Sequence, residues 1–201
     1  MQTYISILRG INVGGHKSVK MDVLRQIYVD LGFENVQTYI QSGNIIFCSE
    51  NSSTQDLTTK IAGKILEKFA FEVPIMVVSL PEFKEIINNN PFLEDISQEK
   101  QLENQKENQK ENQKDSTYFH ITFLSEIPEK ALFDKIKEKE YQKDEVVLVG
   151  KNIYLYCPES YSNSKLTNSF FESKLKVIAT TRNWKTSLEL LKMAEKISNS
   201  N

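Results

Sequence analysis

The segment richest in chemistry lies near the N-terminus, where Arg9-Gly10-Ile11-Asn12-Val13-Gly14-Gly15-His16-Lys17-Ser18 follows a β-rich run and precedes a helical pattern. Glycines let backbone N–H groups converge. With cations and a helix N-terminus nearby, such a turn can hold an anion. The segment nearly matches the phosphate-binding pattern G-x-x-x-x-G-K-[ST], since Gly10 and Gly15 have the required spacing, but His16 separates Gly15 from Lys17. A P-loop lysine reaches its phosphates from a fixed turn of backbone, so this insertion argues against a nucleotide hydrolase. Two readings remain: an anion nest lined by Arg9, Gly10, Asn12, Gly14, Gly15 and Lys17, or a loop that uses glycine only for its backbone angles.

Two further segments cluster polar groups. Gln41-Ser42-Gly43-Asn44 puts amides and a hydroxyl at a hairpin, where they either contact a ligand or simply form the turn. Lys165-Leu166-Thr167-Asn168 and Thr180-Thr181-Arg182-Asn183-Trp184-Lys185 bring a guanidinium, ammonium groups, hydroxyls, amides and the only tryptophan together around a helix start. From Ser160 onward there are 7 Lys plus Arg against 3 Glu, so basic character concentrates at this end. Only 3 of the 25 basic residues are arginine, and Arg9 and Arg182 both fall in these segments. Arginine is the side chain suited to planar, bidentate binding of carboxylate or phosphate, although pairing with an internal carboxylate would also explain it.

The elements that must position these groups are read from periodicity. A strand over 4–9 leads into the Gly-rich loop. Met21, Leu24, Ile27, Tyr28 and Leu31 then recur at helical spacing before Gly32. The runs 36–41 and 44–49 form a hairpin about Ser42 and Gly43, a helix spans 56–69, and a strand covers 75–79. This β-α-β-β-α-β order is ferredoxin-like, with an added helix over 81–88. After residue 116 the order begins again: strand 118–124, helix 128–139, strands 145–149 and 152–157, a helix over 166–175, a β-rich 177–180 and a closing helix over 186–197. Asn44-Ile45-Ile46-Phe47-Cys48 and Asn152-Ile153-Tyr154-Leu155-Tyr156-Cys157 echo each other as a weak internal repeat. The expected fold is therefore α+β, two ferredoxin-like α/β plait halves plus extra helices. The expected organisation is a first half over 1–93, a linker over 94–116 and a second half over 117–201. The linker's core is Glu-Asn-Gln-Lys repeated three times from Glu103 to Lys114, too polar to bury a core, which predicts a solvated segment or an exposed helix paired through i,i+4 charges.

Composition narrows the function classes. At 201 residues, 39% hydrophobic and 26% charged, the chain matches ordinary globular proteins and excludes collagen-like and wholly disordered ones. A net charge of −2 gives no global basic field, so any polyanion site is local. The first residues lack a signal-peptide pattern and no apolar run approaches membrane-spanning length, which predicts a cytoplasmic protein without membrane contact. Cys48 and Cys157, with no neighbouring Cys or His pair, form no zinc motif and are expected as buried thiols. His16, in a loop, and His120, in a strand, are expected in surface or packing roles. No H-E-x-x-H or G-x-S-x-G motif is present, so catalytic residues and cofactor are unassigned, and no metal is expected.

On Leu8-Arg9-Gly10-Ile11-Asn12-Val13-Gly14-Gly15, Thr38-Tyr39-Ile40-Gln41-Ser42-Gly43-Asn44, Ser164-Lys165-Leu166-Thr167-Asn168 and Ala179-Thr180-Thr181-Arg182-Asn183-Trp184, the chain resembles the bacterial family known as domain of unknown function 1697. The resemblance implies two ferredoxin-like halves and supplies no reaction. Two places depart from the family pattern. Tyr161-Ser162-Asn163-Ser164 lacks a glycine and an arginine usual there, which weakens a phosphate site at Lys165, and Lys176 stands in a Leu-Lys-Val run where Leu-Gly-Val is more usual.

Three functions follow as alternatives. The first is a small anionic or phosphorylated ligand held where the polar segments converge between the halves, through Arg9, Lys17, Gln41, Ser42, Asn44, Lys165, Thr167, Asn168, Thr181, Arg182, Asn183 and Trp184. The second is an RNA or single-stranded nucleic-acid module, with Tyr118, His120, Thr122, Tyr154 and Tyr156 on one sheet face as a stacking platform. The third is a protein-interaction domain without a small ligand. Sequence leaves the oligomeric state open.

Overall fold

The structure is a computed structural model and describes residues 1–15, 17–93 and 114–200. Two four-stranded antiparallel sheets carry the fold. In the first, β1 (Gln2–Leu8), α1 (Met21–Asp30), β2 (Glu34–Tyr39), β3 (Asn44–Ser49), α2 (Thr54–Phe69) and β4 (Ile75–Ser79) follow one another, with strand order β2-β3-β1-β4. Helix α3 (Leu80–Asn88) comes next. The second sheet repeats the scheme with β5 (Phe119–Leu124), α4 (Lys130–Lys137), β6 (Glu145–Val149), β7 (Asn152–Tyr156), α5 (Asn168–Leu175) and β8 (Ala179–Asn183), in the order β6-β7-β5-β8. Helix α6 (Trp184–Ser198) closes the chain. Both halves are ferredoxin-like, and the echoed Asn-Ile segments are the equivalent strands β3 and β7.

The chain divides into two compact units. One contains Met1–Glu85 and the chain from Leu188 onward, and the other contains Ile86–Ser187. Both boundaries fall inside helices, α3 and α6. In the first unit Lys84 pairs with Glu195 at 2.8 Å. The Glu-Asn-Gln-Lys repeats lie outside the described residues except for Lys114, and so does the expected linker apart from 114–116. Leu93 and Lys114, the described residues on either side of 94–113, both belong to the second unit.

Alternation accounts for the first unit. Tyr4 of β1 pairs with Phe47 of β3, and Ser6 with Ile45, so these side chains share one face. That face packs on α1 and α2, where Phe47 meets Tyr4, Tyr28 and Phe33 with ring centroids 4.6–5.6 Å apart. Tyr28 is fully buried and shares a 2.7 Å hydrogen bond with Ser6. Burial pushes its phenol well above the ordinary value, and the Ser6 bond offsets part of this. Ile5, Ile7, Ile46 and Cys48 on the opposite face are also buried, so the sheet is covered on both sides. Ser53 caps α2 by accepting from Asp56 N–H at 3.0 Å.

Two expectations are corrected in the second unit. The β-rich run expected over 177–180 is a strand displaced toward the C-terminus, Ala179–Asn183, so Thr181, Arg182 and Asn183 are strand residues rather than a loop before a helix. They pair with Thr122, Ile121 and His120 of β5. The expected tyrosine and histidine face also does not exist. The β5–β7 register sets His120 opposite Leu155 and Ile121 opposite Tyr154, which places His120 and Thr122 on one face and Tyr154 and Tyr156 on the other. Strand register fixes which side chains share a face, and alternation within each strand does not determine it.

Helix α5 ends at Lys176 with φ +62°. A left-handed residue after a helix is where glycine is cheapest, so Lys176 carries a conformational cost there that glycine would not.

Candidate functional site

The first and second polar segments meet in the first unit. Asn12 stands at their centre: its Nδ2 donates to Val19 O and Gln41 O, both at 2.9 Å, and its Oδ1 accepts from Val19 N–H at 2.8 Å. The Asn12 backbone is left-handed at φ +56°, and its N–H reaches Lys17 O at 3.1 Å. Gly10, Gly14, Gly15 and Lys17 are left-handed as well, with φ between +47° and +77°. One asparagine side chain therefore ties a loop of unusual backbone to the hairpin and to the strand-like approach to α1.

The hairpin is fixed just as closely. Asn44 is fully buried, and its Nδ2 donates to Tyr39 O and Ser42 Oγ at 3.2 and 2.9 Å. Gly43 O accepts from Leu8 N–H at 2.8 Å, which anchors the end of β1 beneath the loop. Gln41 presents its carbonyl to Asn12, and its side chain is exposed.

The surface of this loop is basic. Arg9, Lys17 and Lys20 are its cations, and no acidic residue occurs from Arg9 until Asp22. Gly14, Gly15, Lys17 and Lys20 are exposed, and Arg9 is half-buried with its N–H on Pro74 O at 2.9 Å. Lys17 Nζ donates to Glu72 O at 2.6 Å and lies 5.8 Å from the Phe71 ring centre. This one bond uses one of its three donors. Helix α1 begins directly after Lys20, which occupies the N-cap position and makes no side-chain capping bond. The first N–H groups of a helix have no intrahelical partner and carry the positive end of the dipole. Sequence reasoning found the loop and missed Lys20 and Phe71. The signal for Lys20 was its place one residue before a helical pattern that lacks a Ser, Thr, Asp or Asn cap. His16 lies outside the described residues.

The remaining expected residues gather in the second unit, and most have structural duties there. Thr122 donates to Thr181, which donates to Asn168 Oδ1, each at 2.7 Å. Thr167 caps α5 by accepting from Phe170 N–H at 3.2 Å. Asn183 Oδ1 accepts from Thr186 N–H at 2.7 Å and so caps α6. Trp184 is buried edge-on to Phe119. Arg182 Nη1 donates to Thr180 Oγ1 and Thr181 O at 3.1 and 2.9 Å, and burial lowers its pKa to about 10, so it stays charged at neutral pH. Lys165 is exposed.

Of the expected stacking platform, Tyr118 is exposed, His120 and Tyr156 are half-buried, and the rest is buried. Tyr154 is 1% exposed and its hydroxyl donates to Ile86 O at 2.7 Å. Thr122 is fully buried. His120 stacks on Tyr161 with ring centres 4.6 Å apart, and its Nδ1–H donates to Tyr118 O at 3.1 Å. Burial lowers the His120 pKa, against smaller upward pulls from the Tyr118 carbonyl and Asp144. The unfolded chain therefore binds a proton below about pH 6.5 that the folded chain refuses. Stability contributed by His120 is unaffected above that pH and falls as the pH drops toward the folded value. In urea titrations between pH 7.5 and 5.5, His120→Asn is expected to flatten this decline, and an unchanged slope would contradict it.

Cys48 and Cys157 are buried and not joined in a disulfide, and burial pushes the Cys157 thiol up to about 12. Among the described residues no group of His, Cys, Asp and Glu could hold a metal ion, and no helix is long and apolar enough to cross a membrane.

Two ferredoxin-like halves, the first carrying a glycine-rich basic loop pinned to a hairpin, define the class of this protein. The chain belongs to the family described as a protein of unknown function (DUF1697), whose model matches residues 1–105 and so takes in both the loop and the hairpin. Its structure is similar to that of the conserved bacterial protein SP0830 from Streptococcus pneumoniae. The two share 25% identity and a TM-score of 0.70 over 96% of this chain and 98% of that one. No curated protein matches.

Proposed function

We propose that this chain binds a small anionic or phosphorylated ligand, and that the loop from Arg9 to Lys20 in the first unit holds it. The observation that carries this reading is the coincidence of three features. They are an exposed left-handed backbone at Gly14, Gly15 and Lys17, three cations in a run of sequence without Asp or Glu before Asp22, and a start to α1 without a side-chain cap. Successive turn N–H groups and a helix N-terminus both favour negative charge, and Asn12 holds the loop in this shape before any ligand arrives. Preorganisation of this kind lowers the ordering cost of binding. The reading rests on the loop and requires nothing of Arg182, whose Nη1 already serves its own strand.

The test is thermal unfolding of the full chain against inorganic phosphate, pyrophosphate, nucleotides and sugar phosphates at fixed ionic strength. A ligand at 100 times its dissociation constant adds about 2.7 kcal/mol, or roughly 5–10 °C at this size. We expect a saturable shift from at least one of these anions, lost in Lys17→Ala/Lys20→Ala and kept in Lys165→Ala. No saturable shift from any of them would sink the proposal.

A further inference from the structure

A cation-binding arrangement stands in the second unit, built from residues that no motif connects. Lys114 Nζ lies 4.7 Å from the centre of the Phe92 ring and 5.5 Å from that of Tyr156. Glu145 Oε2 accepts from the same ammonium at 2.8 Å. Phe92 is 3% exposed, and it is backed by fully buried Phe119 at a centroid distance of 5.5 Å. Phe119 also meets Tyr156 at 5.7 Å, edge to face. The side chain of Lys114 is only 19% exposed, against 48% for Glu145. A surface ion pair leaves both partners in water, whereas here the lysine is the more enclosed of the two and two aromatic rings flank its ammonium.

Two aromatic faces and one carboxylate are the chemistry that selects an organic cation. The rings attract the charge through their quadrupoles and the carboxylate takes one N–H. We infer that Phe92, Tyr156 and Glu145 form an alkylammonium-binding pocket whose resident ligand is the chain's own Lys114. The pocket favours an alkylammonium that keeps an N–H over a quaternary one, because Glu145 needs a donor beside the two rings. Lys114 ends the third Glu-Asn-Gln-Lys quartet, and Phe92 precedes the first. The contact therefore fastens the chain to itself across positions 94–113.

The experiment empties the pocket and refills it. Lys110 ends an identical quartet four residues earlier, so the full-length double variant Lys110→Ala/Lys114→Ala is used to prevent substitution by that neighbour. Its thermal midpoint is expected to fall by a few degrees and to recover in a saturable titration with n-butylammonium chloride. Sodium chloride at equal ionic strength and butan-1-ol should not restore it. Adding Tyr156→Leu to the double variant should abolish the recovery. Recovery that does not saturate, or that butan-1-ol matches, would overturn the inference. A readout on the unaltered protein guards against variants that do not fold: one lysine ε-methylene should be shifted upfield by ring currents in proton NMR, and Phe92→Leu should reduce that shift. The absence of any upfield lysine ε-methylene would likewise overturn it.

Discussion

Gly43→Ala is expected to destabilise the first unit by about 2–5 kcal/mol. Gly43 sits at φ +76°, where an L-residue with a Cβ costs about 1–2 kcal/mol. A Cβ there would also stand 2.7 Å from Leu8 Cβ and 2.8 Å from Ile11 Cδ1, both on buried residues. Overpacking of this kind adds about 1–3 kcal/mol. Gly10→Ala separates the two contributions, because Gly10 has a similar φ of +71° and open space around its missing Cβ. It should lose only the conformational part. The comparison is made by urea unfolding, reading the midpoint at constant slope. Equal losses for the two variants would show that the contact of the hairpin with Leu8 and Ile11 does not govern the site.

The second large effect is at Asn12. Asn12→Gly keeps a backbone free to be left-handed and removes three hydrogen bonds, for a loss of about 2–3 kcal/mol at roughly 1 kcal/mol each. Asn12→Ala removes the same bonds and adds about 1 kcal/mol for a left-handed alanine at φ +56°. The ranking wild type, glycine, alanine is therefore expected in the same unfolding assay. An alanine variant as stable as the glycine variant would mean that the loop relaxes to another backbone. Both variants should also weaken any anion-induced thermal shift, since Val19 and Gln41 lose the side chain that holds the loop against them.

Both sheets were legible in the sequence because their strands announce themselves by composition and their turns by glycine. Asn44–Ser49 and Asn152–Tyr156 are apolar runs following Gly43 and Gly150, and the helices of the first unit show clear helical spacing. Strand β8 was harder to read. Its half from Thr181 to Asn183 is polar because Thr181 completes a hydroxyl chain from Thr122 to Asn168, and Arg182 satisfies its own strand, so no apolar period marks it. The faces of β5 and β7 could not be assigned either, because one residue of register exchanges every side chain between faces.

The candidate site divides along the same line. The loop and hairpin were visible as glycine and amide clusters a few residues long, and Asn12 joins them over 29 positions through one side chain. By contrast, Thr167 and Asn183 look the same in sequence whether they cap a helix or contact a ligand. The Lys114 pocket left no signal, since Phe92, Glu145 and Tyr156 are far apart and the repeat reads as solvated from its composition alone.

The central claim is that the first unit's loop holds an anion, and amide chemical shifts of the uniformly 15N-labelled full chain during a pyrophosphate titration test it most directly. Saturable shifts centred on Gly14, Gly15, Lys17 and the first turn of α1 are the predicted result. Shifts centred instead on Lys165 and Arg182, or no saturable shift at any of these amides, would contradict it.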